Sequence, residues 1–545
     1  MRTLIMATGI WLAACGASVC LAQDQANAAC AACHPQAQHI QNTAHGSVGC
    51  AACHPGHEKA PHPAGTAKPR CADCHSLIES ERARGVHGQI AECSTCHGDA
   101  HQVTPPGSVA FRKRVPDTCG MCHQEVAGQY KASVHGRALG NGVKQAPLCT
   151  DCHGEHSIEK HTTETSPVHV RHIRETCARC HGDIRLTSRF GLPPDRVASF
   201  DATFHGLAAR AGSETVANCA SCHGVHNILP SSDPQSTIHA KNLAATCGHC
   251  HPGAGQRFSL GPVHVVPGRA EPRAASVVRE VYLVLIPFTI GLMVLHNLGD
   301  WIRKVAARRH GVLAARCEYP GEFRMFGPER LQHALLVISF VTLVWTGFAL
   351  KYPDQFWARP LVAWESSWSL RGIVHRVAAG VFLGTAALHL FSLIFSARLR
   401  QHWASLRPNY LDLRTAAAVF AYNLGLRRER PLLPPHSYVE KAEYWSVAWG
   451  AVVMSVSGVI LWANSFFLAH LPKAVMDVAT AVHFYEAVLA ALAIVVWHFY
   501  FVIFDPDVYP MDTAWLDGFS ARKRAEGNPV PENGPQPSGR SQAWR

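Results

Sequence analysis

Nine copies of one pattern occupy the first half of the chain: Cys-x-x-Cys followed directly by His. Two thiols at this spacing can form thioether bonds to the two vinyl groups of a haem, and the adjacent imidazole then reaches the iron. Zinc ribbons also use paired cysteines, but they do not need a histidine after every second cysteine. The pattern therefore predicts nine covalently bound c-type haems.

The cysteines of these motifs are the predicted attachment sites, and the histidines are the predicted proximal iron ligands. The cysteine pairs are Cys30/Cys33, Cys50/Cys53, Cys71/Cys74, Cys93/Cys96, Cys119/Cys122, Cys149/Cys152, Cys177/Cys180, Cys219/Cys222 and Cys247/Cys250. The histidines are His34, His54, His75, His97, His123, His153, His181, His223 and His251. The motifs use eighteen of the 21 cysteines, which argues against a disulfide framework.

Histidine is also the predicted distal ligand. Between residues 24 and 268 the only methionine is Met121, inside a motif, whereas the same stretch holds 25 histidines. Bis-His ligation implies low reduction potentials relative to His/Met haems. The predicted distal ligands either precede a glycine, follow shortly after a motif, or come last in the stretch: His45, His87, His135 and His205; His57, His101, His156 and His226; and His264. The competing candidates are His62, His169 and His239.

Part of this region is an internal repeat, in which the segment from His135 to Cys177 recurs from His205 to Cys247. Four two-haem units and the motif at Cys30 account for all nine motifs. Nine haems in so short a stretch leave too little chain for an ordinary apolar core. Residues 23–268 are therefore predicted to be a loop-rich domain of short helices wrapped around its haems.

The N-terminus predicts export of this domain. Arg2 precedes an apolar stretch from Leu4 to about Leu21, which indicates a signal peptide at residues 1–22. A lipidated Cys15 and an uncleaved N-terminal anchor are the alternatives. The net charge of +11 does not indicate nucleic-acid binding, because haem propionates would offset much of it.

The second half of the chain predicts an all-α membrane bundle over residues 269–510. Apolar segments long enough to span a bilayer lie at about 277–298, 331–350, 371–396, 443–465 and 482–504. Lysine and arginine concentrate in residues 299–330, in residues 398–442 and in the tail, which predicts that these parts are cytoplasmic. The chain is thus expected to be a multi-pass protein of a bacterial inner membrane, with the haem c domain in the periplasm and a largely disordered cytoplasmic tail at 511–545.

Histidines inside these spans indicate further iron ligands, because buried polar groups in a membrane are costly. The candidates are His333, His375, His389, His483 and His498. The rise of a helix separates His375 from His389 by about 21 Å and His483 from His498 by about 22 Å. Two facing helices with such intervals could hold two b-type haems, one near each membrane face. We interpret His296 as a helix-end residue and Asp505 as part of a helix stop.

Two resemblances assign these histidines differently. The segment from Leu370 to Arg376 with His389, and the His-Phe pairs at His483 and His498, resemble the second and fourth helices of the cytochrome b of quinol:cytochrome c oxidoreductases. That resemblance implies that His389 pairs with His498.

The segment Glu329–His333, with Thr346-Gly347 further along, instead resembles the first helix of the diheme cytochrome b subunits of formate dehydrogenases and nickel–iron hydrogenases. That resemblance implies a four-helix diheme bundle in which His333 pairs with His498 and His375 with His483. The Arg-x-x-His start favours this second assignment. The histidine that is not a ligand would be a buried polar residue or a quinone contact.

The whole layout resembles the inner-membrane quinol oxidoreductases of metal-reducing bacteria. The resemblance implies that quinol is oxidised through two b haems and a nine-haem c-type wire, with periplasmic multihaem cytochromes as partners. Two alternatives remain: the same wire run in reverse to reduce quinone, and a cytochrome b/c anchor that relays electrons for a separate dehydrogenase or reductase subunit. The sequence identifies neither the group that accepts the quinol protons nor the terminal acceptor.

Overall fold

The computed structural model describes residues 27–57, 60–62, 68–255, 263–265, 272–310, 322–362, 365, 369–431, 433 and 436–520. The predicted signal peptide, Cys15 and the end of the tail from residue 521 lie outside the described residues. The chain divides into two compact units. The first comprises residues 1–210 and 214–250, and the second comprises residues 211–213 and 251–545.

The helices that lie wholly within the described residues of the first unit are short, and the longest of them has 12 residues. They are α1 (Cys50–Cys53), α2 (Ser76–Arg84), α3 (Cys93–His97), α4 (Val109–Gly120), α5 (Gln124–Ala132), α6 (Val134–Gly140), α7 (Cys149–His153), α8 (Ile173–His181), α9 (Ile184–Arg189), α10 (Arg196–Asp201), α11 (Phe204–Arg210), α12 (Cys219–His223) and α13 (Leu243–Gly248). Single 3₁₀ turns lie at Pro35–Gln38, Ile40–Asn42, Cys71–Asp73 and Ala100–Gln102.

Local helicity explains the spacing of the motif cysteines. Residues three apart on a helix lie on the same face, so a helical turn presents both thiols of a Cys-x-x-Cys pair on one side. Helices α1, α3, α7 and α12 each begin at the first cysteine of a motif. The sequence of each such motif therefore sets up the attachment geometry within a single turn.

Apolar packing in the described part of the first unit is modest. Its hydrophobic cluster contains Val115, Tyr130, Leu139, Ala146 and Leu148, where α4, α5 and α6 meet. The Tyr130 hydroxyl donates to the carbonyl of Pro147 at 2.6 Å, which satisfies the one polar group in the cluster. A cluster of this size agrees with the expectation that side chains alone do not form a large core here.

The second unit contains the five membrane helices. These are α14 (Arg273–Arg309), α15 (Gly327–Lys351), α17 (Leu370–Phe395), α20 (Tyr438–Trp462) and α22 (Lys473–Ala493), which continues in two π-helical turns, Ile494–His498 and Tyr500–Phe504. The shorter elements are α16 (Arg359–Val362), α18 (Ala397–Ala404), α19 (Tyr410–Asn423), α21 (Asn464–His470) and α23 (Ala514–Asp517), with strands β1 (Glu322–Phe323) and β2 (Phe519–Ser520) pairing antiparallel. The prediction of a mainly helical chain with five membrane helices is confirmed.

Side-chain caps fix where the membrane helices begin. The Ser437 hydroxyl accepts a hydrogen bond from the Val439 amide at 3.2 Å, and Glu440 accepts one from the Ser437 amide at 2.9 Å. Glu329 likewise accepts a hydrogen bond from the Phe326 amide at 2.8 Å, ahead of α15. Each cap satisfies amides that the first helical turn leaves without a partner.

The membrane helices pack as two hairpin-like pairs with one additional helix. Helix α15 packs against α17, α20 packs against α22, and α14 packs against α22. Large apolar side chains remain exposed on the outer surfaces, among them Val284, Phe395 and Trp449. In a bilayer such side chains face lipid, so their exposure is the expected property of a membrane bundle.

One face of α14 is polar and buried. His296, Asn297, Asp300 and Lys304 are each 6–7% exposed, and their spacing places them on the same side of the helix. The Asn297 amide donates to the carbonyl of Val496 at 2.6 Å, within the first π turn. The interpretation of His296 as a helix-end residue is wrong, because α14 continues to Arg309 and the His296 ring hydrogen-bonds the Tyr438 hydroxyl at 2.6 Å.

An ion cluster ties α14 to the end of the last membrane helix. Lys304 lies 2.6 Å from Asp300 and 2.8 Å from Asp505, and the Tyr500 hydroxyl donates to Asp300 at 2.6 Å. Burial acts to raise the pKa of the Asp507 carboxyl, but Lys304 and nearby arginines outweigh it and hold that pKa below its usual value. Asp505 is therefore more than a helix stop, because it is one of the two carboxylates closest to a buried ammonium group.

We predict that Lys304→Met destabilises the protein strongly. Removing Lys304 leaves Asp300 and Asp505 buried without their cation, which typically costs about 3–5 kcal/mol. Lys473→Met is the matched control, because the Lys473–Asp477 pair is about a quarter exposed and worth no more than about 1 kcal/mol. Thermal unfolding in detergent should show a large drop in Tm for the first variant only, and equal drops would contradict the cluster's role.

Candidate haem-binding sites

Facing histidine rings provide a direct test of whether the motifs fit haem. Two imidazoles that bind one iron from opposite sides have centroids about 6 Å apart, because each metal–nitrogen bond is roughly 2 Å long. Ring contacts among the described residues include seven in which a motif histidine faces a second histidine at this separation. The pairs are His34–His62 (5.9 Å), His54–His101 (6.0 Å), His75–His45 (6.2 Å), His97–His156 (6.1 Å), His123–His87 (6.1 Å), His153–His226 (6.0 Å) and His181–His135 (6.2 Å). The residues present therefore fit bis-His haem.

The motif cysteines are less enclosed by the chain than a domain wrapped around its haems would suggest. Cys74 and Cys250 are both exposed, although their spacing alone marks them as haem-binding residues. The exposed motif cysteines are Cys33, Cys53, Cys71, Cys74, Cys96, Cys122 and Cys250. Motif spacing carries no information on burial, and a thiol that reacts with a vinyl group must be accessible to it. Protein side chains therefore do not enclose these sulfurs, and the attachment of haem to the motif cysteines, Cys74 and Cys250 included, stays a prediction.

The structure differs from the sequence prediction at His57. It is His62 that lies opposite His34, with the two rings inclined by 22°. His57 lies beside His62 at 4.9 Å and edge-on to His54 at 5.8 Å, while His54 stacks against His101 at an angle of 2°. The geometry thus selects His62, which was only a competing candidate on sequence grounds, in place of His57.

The other two competing candidates are held by the backbone. The His169 ring accepts a hydrogen bond from the Arg171 amide at 3.4 Å, and the His239 ring accepts one from the Lys241 amide at 3.3 Å. His169 also lies 6.2 Å from His172, but the His172 ring hydrogen-bonds the carbonyl of Glu164 at 2.9 Å. These contacts organise a turn, and neither His169 nor His239 faces a motif histidine. The predictions for His205, His264, His223 and His251 stand as sequence predictions.

The glycine that follows four of the distal histidines has a steric cause. A Cβ atom at Gly46, Gly88, Gly136 or Gly206 would come within 3.0 Å of a backbone carbonyl oxygen of the preceding turn. Any side chain would push the histidine segment away from that turn. The His-Gly pattern therefore marks places where the backbone packs too closely for any other residue.

A hydroxyl two residues before three of these four histidines is part of the same local structure, and the sequence analysis missed it. The Ser133 hydroxyl donates to the carbonyl of Tyr130 at 2.6 Å and accepts from the Gly136 amide at 3.1 Å. Thr203 makes the equivalent bonds to Phe200 at 2.7 Å and Gly206 at 3.1 Å. The signal was present as Ser/Thr-x-His-Gly, which occurs at His45, His135 and His205.

A second glycine position turns the chain after the proximal histidine. In the Cys-His-Gly sequences, Gly98, Gly154 and Gly224 have φ values of 78°, 85° and 81°. Residues with a Cβ atom rarely adopt this conformation. The turn separates His97, His153 and His223 from the next histidine, so that the second ring points to a different partner.

Burial favours the neutral form of His135, His181 and His153 by lowering their pKa values. It lowers the pKa of His135 to about 4, and the neighbouring His181 ring adds to the shift. Burial also lowers the pKa of His181 and, with a smaller effect of His226, the pKa of His153. Neutral imidazole is the form that binds a metal, so the environment favours ligation at neutral pH.

In the membrane bundle, histidines from different helices also form pairs. The His333 and His498 rings are 6.4 Å apart, and the rings of His375 and His483 are electrostatic neighbours. The last membrane helix changes to a π turn at Ile494–His498, so that His498 lies at the end of that turn.

Hydroxyl groups on the neighbouring helices orient two of these rings. The Thr346 hydroxyl lies 2.8 Å from His375 Nδ1 and donates to the carbonyl of Thr342 at 2.6 Å. The Ser457 hydroxyl lies 2.9 Å from His483 Nδ1 and donates to the carbonyl of Val453 at 2.7 Å. Because each hydroxyl uses its hydrogen on a carbonyl, it accepts from Nδ1–H, and Nε2 is left free to bind iron.

His389 has different surroundings. Its Nδ1 hydrogen-bonds the Gln332 side chain at 3.2 Å, and its Nε2 hydrogen-bonds the Tyr444 hydroxyl at 3.1 Å. The Trp403 ring covers it edge-on at 4.9 Å. Both ring nitrogens are thus engaged, and the structure brings His333, not His389, opposite His498.

We predict that Gly136→Ala disrupts the site at His135. The new methyl group would overlap the Tyr130 carbonyl, and overpacking of this kind costs about 1–3 kcal/mol. The matched control is Gly128→Ala in α5, where a Cβ meets nothing within 4 Å and helix propensity favours alanine by roughly 0.5–1 kcal/mol. Thermal unfolding and haem content should fall for the first variant and not for the second.

We predict that Ser457→Ala weakens haem binding at the His375–His483 pair. Losing a group that orients a metal-bound histidine typically reduces affinity by about 10–100-fold. Ser339→Ala is the control, because the buried Ser339 hydroxyl bonds only carbonyls of its own helix among the described residues. Reduced-minus-oxidised spectra should show a changed b-type signal for Ser457→Ala alone, and an unchanged signal would refute the orienting role.

Comparison with known proteins identifies the membrane bundle. Residues 324–510 match the sequence profile of the prokaryotic cytochrome b561 family. The chain is 25% identical over 173 residues to the cytochrome b556 subunit of formate dehydrogenase from Haemophilus influenzae, which covers 32% of this chain and 67% of the relative. No solved structure matches the chain. Residues 324–510 are therefore similar to cytochrome b561 proteins, and this similarity, together with the five membrane helices, supports a multi-pass membrane protein of the cytochrome b type that takes part in electron transfer.

Proposed function

We propose that this protein transfers electrons from membrane quinol to periplasmic redox partners through two b haems and nine c haems. The observation that carries the proposal is the presence, on one chain, of a cytochrome b-type bundle with two histidine pairs and of seven further histidine pairs at haem-attachment motifs. Haem supplies the one-electron chemistry when bound, and the protein holds, orients and shields it.

In the membrane, His375 and His483 would hold one b haem, and His333 and His498 would hold the other. Thr346 and Ser457 orient the first pair through Nδ1, as their hydrogen bonds indicate. On the second pair, Glu443 lies 3.4 Å from His498 Nδ1 and would take the same orienting role. His389 would be a buried polar residue or a quinone contact.

In the first unit, the nine cysteine pairs would attach the c haems, with the motif histidines as proximal ligands. The distal ligands would be the paired histidines described above, so that His62 replaces His57, together with His205 and His264. Bis-His ligation at every site leaves no open coordination position, which suits electron transfer and not substrate binding.

The arrangement across the membrane follows from export and charge. We propose that the signal peptide directs residues 23–268 to the periplasm, and that the basic segments after α14 and α17 stay in the cytoplasm. The partners would be the quinone pool and periplasmic multihaem cytochromes.

A second candidate function is an anchor and relay subunit of a separate dehydrogenase. The similarity to the cytochrome b556 subunit of a formate dehydrogenase favours it. Purification of the native complex distinguishes the two, because a relay subunit would bring a catalytic dehydrogenase subunit with it, whereas a quinol oxidoreductase acts without one.

We predict that His333→Ala removes one b haem, whereas His389→Ala removes none. The pair His333–His498 has the separation of axial ligands, while the His389 nitrogens already bond Gln332 and Tyr444. The measurement is the haem b content per mole of purified protein. Loss of haem from His389→Ala with full retention in His333→Ala would reverse the assignment.

We predict that a reduced quinol analogue reduces the c haems of the purified full-length protein. His483→Ala should abolish this reduction, because it removes a ligand from the bundle, while dithionite should still reduce the c haems. Stopped-flow absorbance of the c-type bands measures both. If quinol fails to reduce the wild-type protein, quinol oxidation is refuted.

A further inference from the structure

We infer that the nine c haems form a single unbranched line in which spatial order equals motif order. The inference rests on the proposed haem binding and adds to it the neighbour relations of all nine sites. It stands on two kinds of contact, described below as the thiol junction and the backbone junction. The motifs are numbered one to nine from Cys30 to Cys247.

The thiol junction joins each odd-numbered motif to the even-numbered motif that follows it. In all four cases the first cysteines of the two motifs are hydrogen-bonding neighbours. The pairs are Cys30–Cys50, Cys71–Cys93, Cys119–Cys149 and Cys177–Cys219. With haem attached these sulfurs would be thioethers, so their proximity carries the argument and the hydrogen bond does not. Motifs one and two, three and four, five and six, and seven and eight are therefore adjacent at their attachment edges.

The backbone junction joins motifs two, four and six each to the next odd-numbered motif on the distal side. The residue before a His-Gly histidine donates its amide to a carbonyl two residues after a later distal histidine. The bonds are Ala44 to Val103 (2.8 Å), Val86 to Ile158 (2.8 Å) and Val134 to Ile228 (2.9 Å). Three bonds in identical positions relative to their histidines indicate a repeated structural element.

The histidine pairs show which motifs these bonds connect. His45 faces motif three and His101 faces motif two, so the bond from Ala44 to Val103 joins motifs two and three. By the same logic His87 and His156 join motifs five and four. His135 and His226 then join motifs seven and six.

A separate side-chain contact joins motif eight to motif nine. The Thr237 hydroxyl donates to the carbonyl of Cys222 at 2.6 Å, and the Thr246 hydroxyl, next to Cys247, donates to the carbonyl of Thr237 at 2.7 Å. Every internal motif thus contacts one neighbouring motif at its thiol junction and the other neighbouring motif through a second, different contact.

The line has two ends, motif one at Cys30 and motif nine at Cys247. Motif nine is the closest along the chain to the first membrane helix. Cys33 and His34 of motif one are exposed. A line that receives electrons at motif nine delivers them at its other end, so a soluble redox partner would exchange electrons at the Cys30 end.

The test is cryo-electron microscopy of the full-length, haem-loaded protein in lipid nanodiscs, in which the irons are located and assigned by their cysteine pairs. The expected result is that the nearest irons to each internal site belong to the preceding and following motifs. A site whose nearest neighbour is not consecutive overturns the inference. The iron positions can be measured without an electron donor, so a failure of quinol oxidation would not affect this result. Conversely, a different spatial order of the haems would not exclude quinol oxidation.

Haem-deletion variants test the same order in protein that quinol reduces. Replacing Cys119 and Cys122 by serine removes motif five. Electrons that enter the line at motif nine then stop at motif six, so the haems of motifs one to four are not reduced in the rapid phase. Replacing Cys30 and Cys33 by serine is the matched control, because it removes only the terminal site. The first variant should lose about half of the rapid c-type absorbance change and the second about a ninth. Equal losses would contradict an unbranched line.

Discussion

Pairs of imidazole rings held about 6 Å apart are the contacts on which the first unit depends. Members of a pair come from segments that are well separated along the chain, as with His34 and His62 or His153 and His226. The hydrophobic cluster around Tyr130 involves a small part of the described chain. The proposed ligand pairs would therefore supply the long-range constraints that an apolar core supplies in other proteins, and short helices would suffice because each needs only to present one motif or one paired histidine.

The membrane bundle applies the same constraint twice, through two similar halves. Thr346-Gly347 on α15 and Ser457-Gly458 on α20 meet a histidine of the adjacent helix in the same way. The hydroxyl orients the ring, and the glycine allows the ring to approach the helix, with His483 Cε1 at 3.3 Å from where a Cβ of Gly458 would lie. Because α15 and α20 repeat the same hydroxyl and glycine, the two helix pairs position the His375 and His483 rings in the same way.

The sequence predicted those features that depend on local pattern. Hydropathy and length give the five membrane helices, whereas the attachment sites that motif spacing indicates stay a prediction. The choice between His57 and His62 depends on the path of a loop, which spacing does not encode. His389 has the right interval from His375, but Gln332 and Tyr444, from two other helices, occupy its nitrogens. The sequence also did not explain why glycine follows these histidines. The backbone carbonyl that leaves no room for a side chain at the glycine is positioned by the fold of the preceding turn.

Lys304 was counted from the sequence among the cytoplasmic positive charges, yet it is buried against a carboxylate 201 residues later in the chain. Ribosomes make α14 long before Asp505 exists, so the new helix enters the bilayer without that partner. Asp300, one turn away and 2.6 Å from Lys304, neutralises the ammonium group in the meantime. The nascent first helix thus carries its own counter-ion through insertion, and the arrival of the last helix completes the cluster only when synthesis of the bundle is finished.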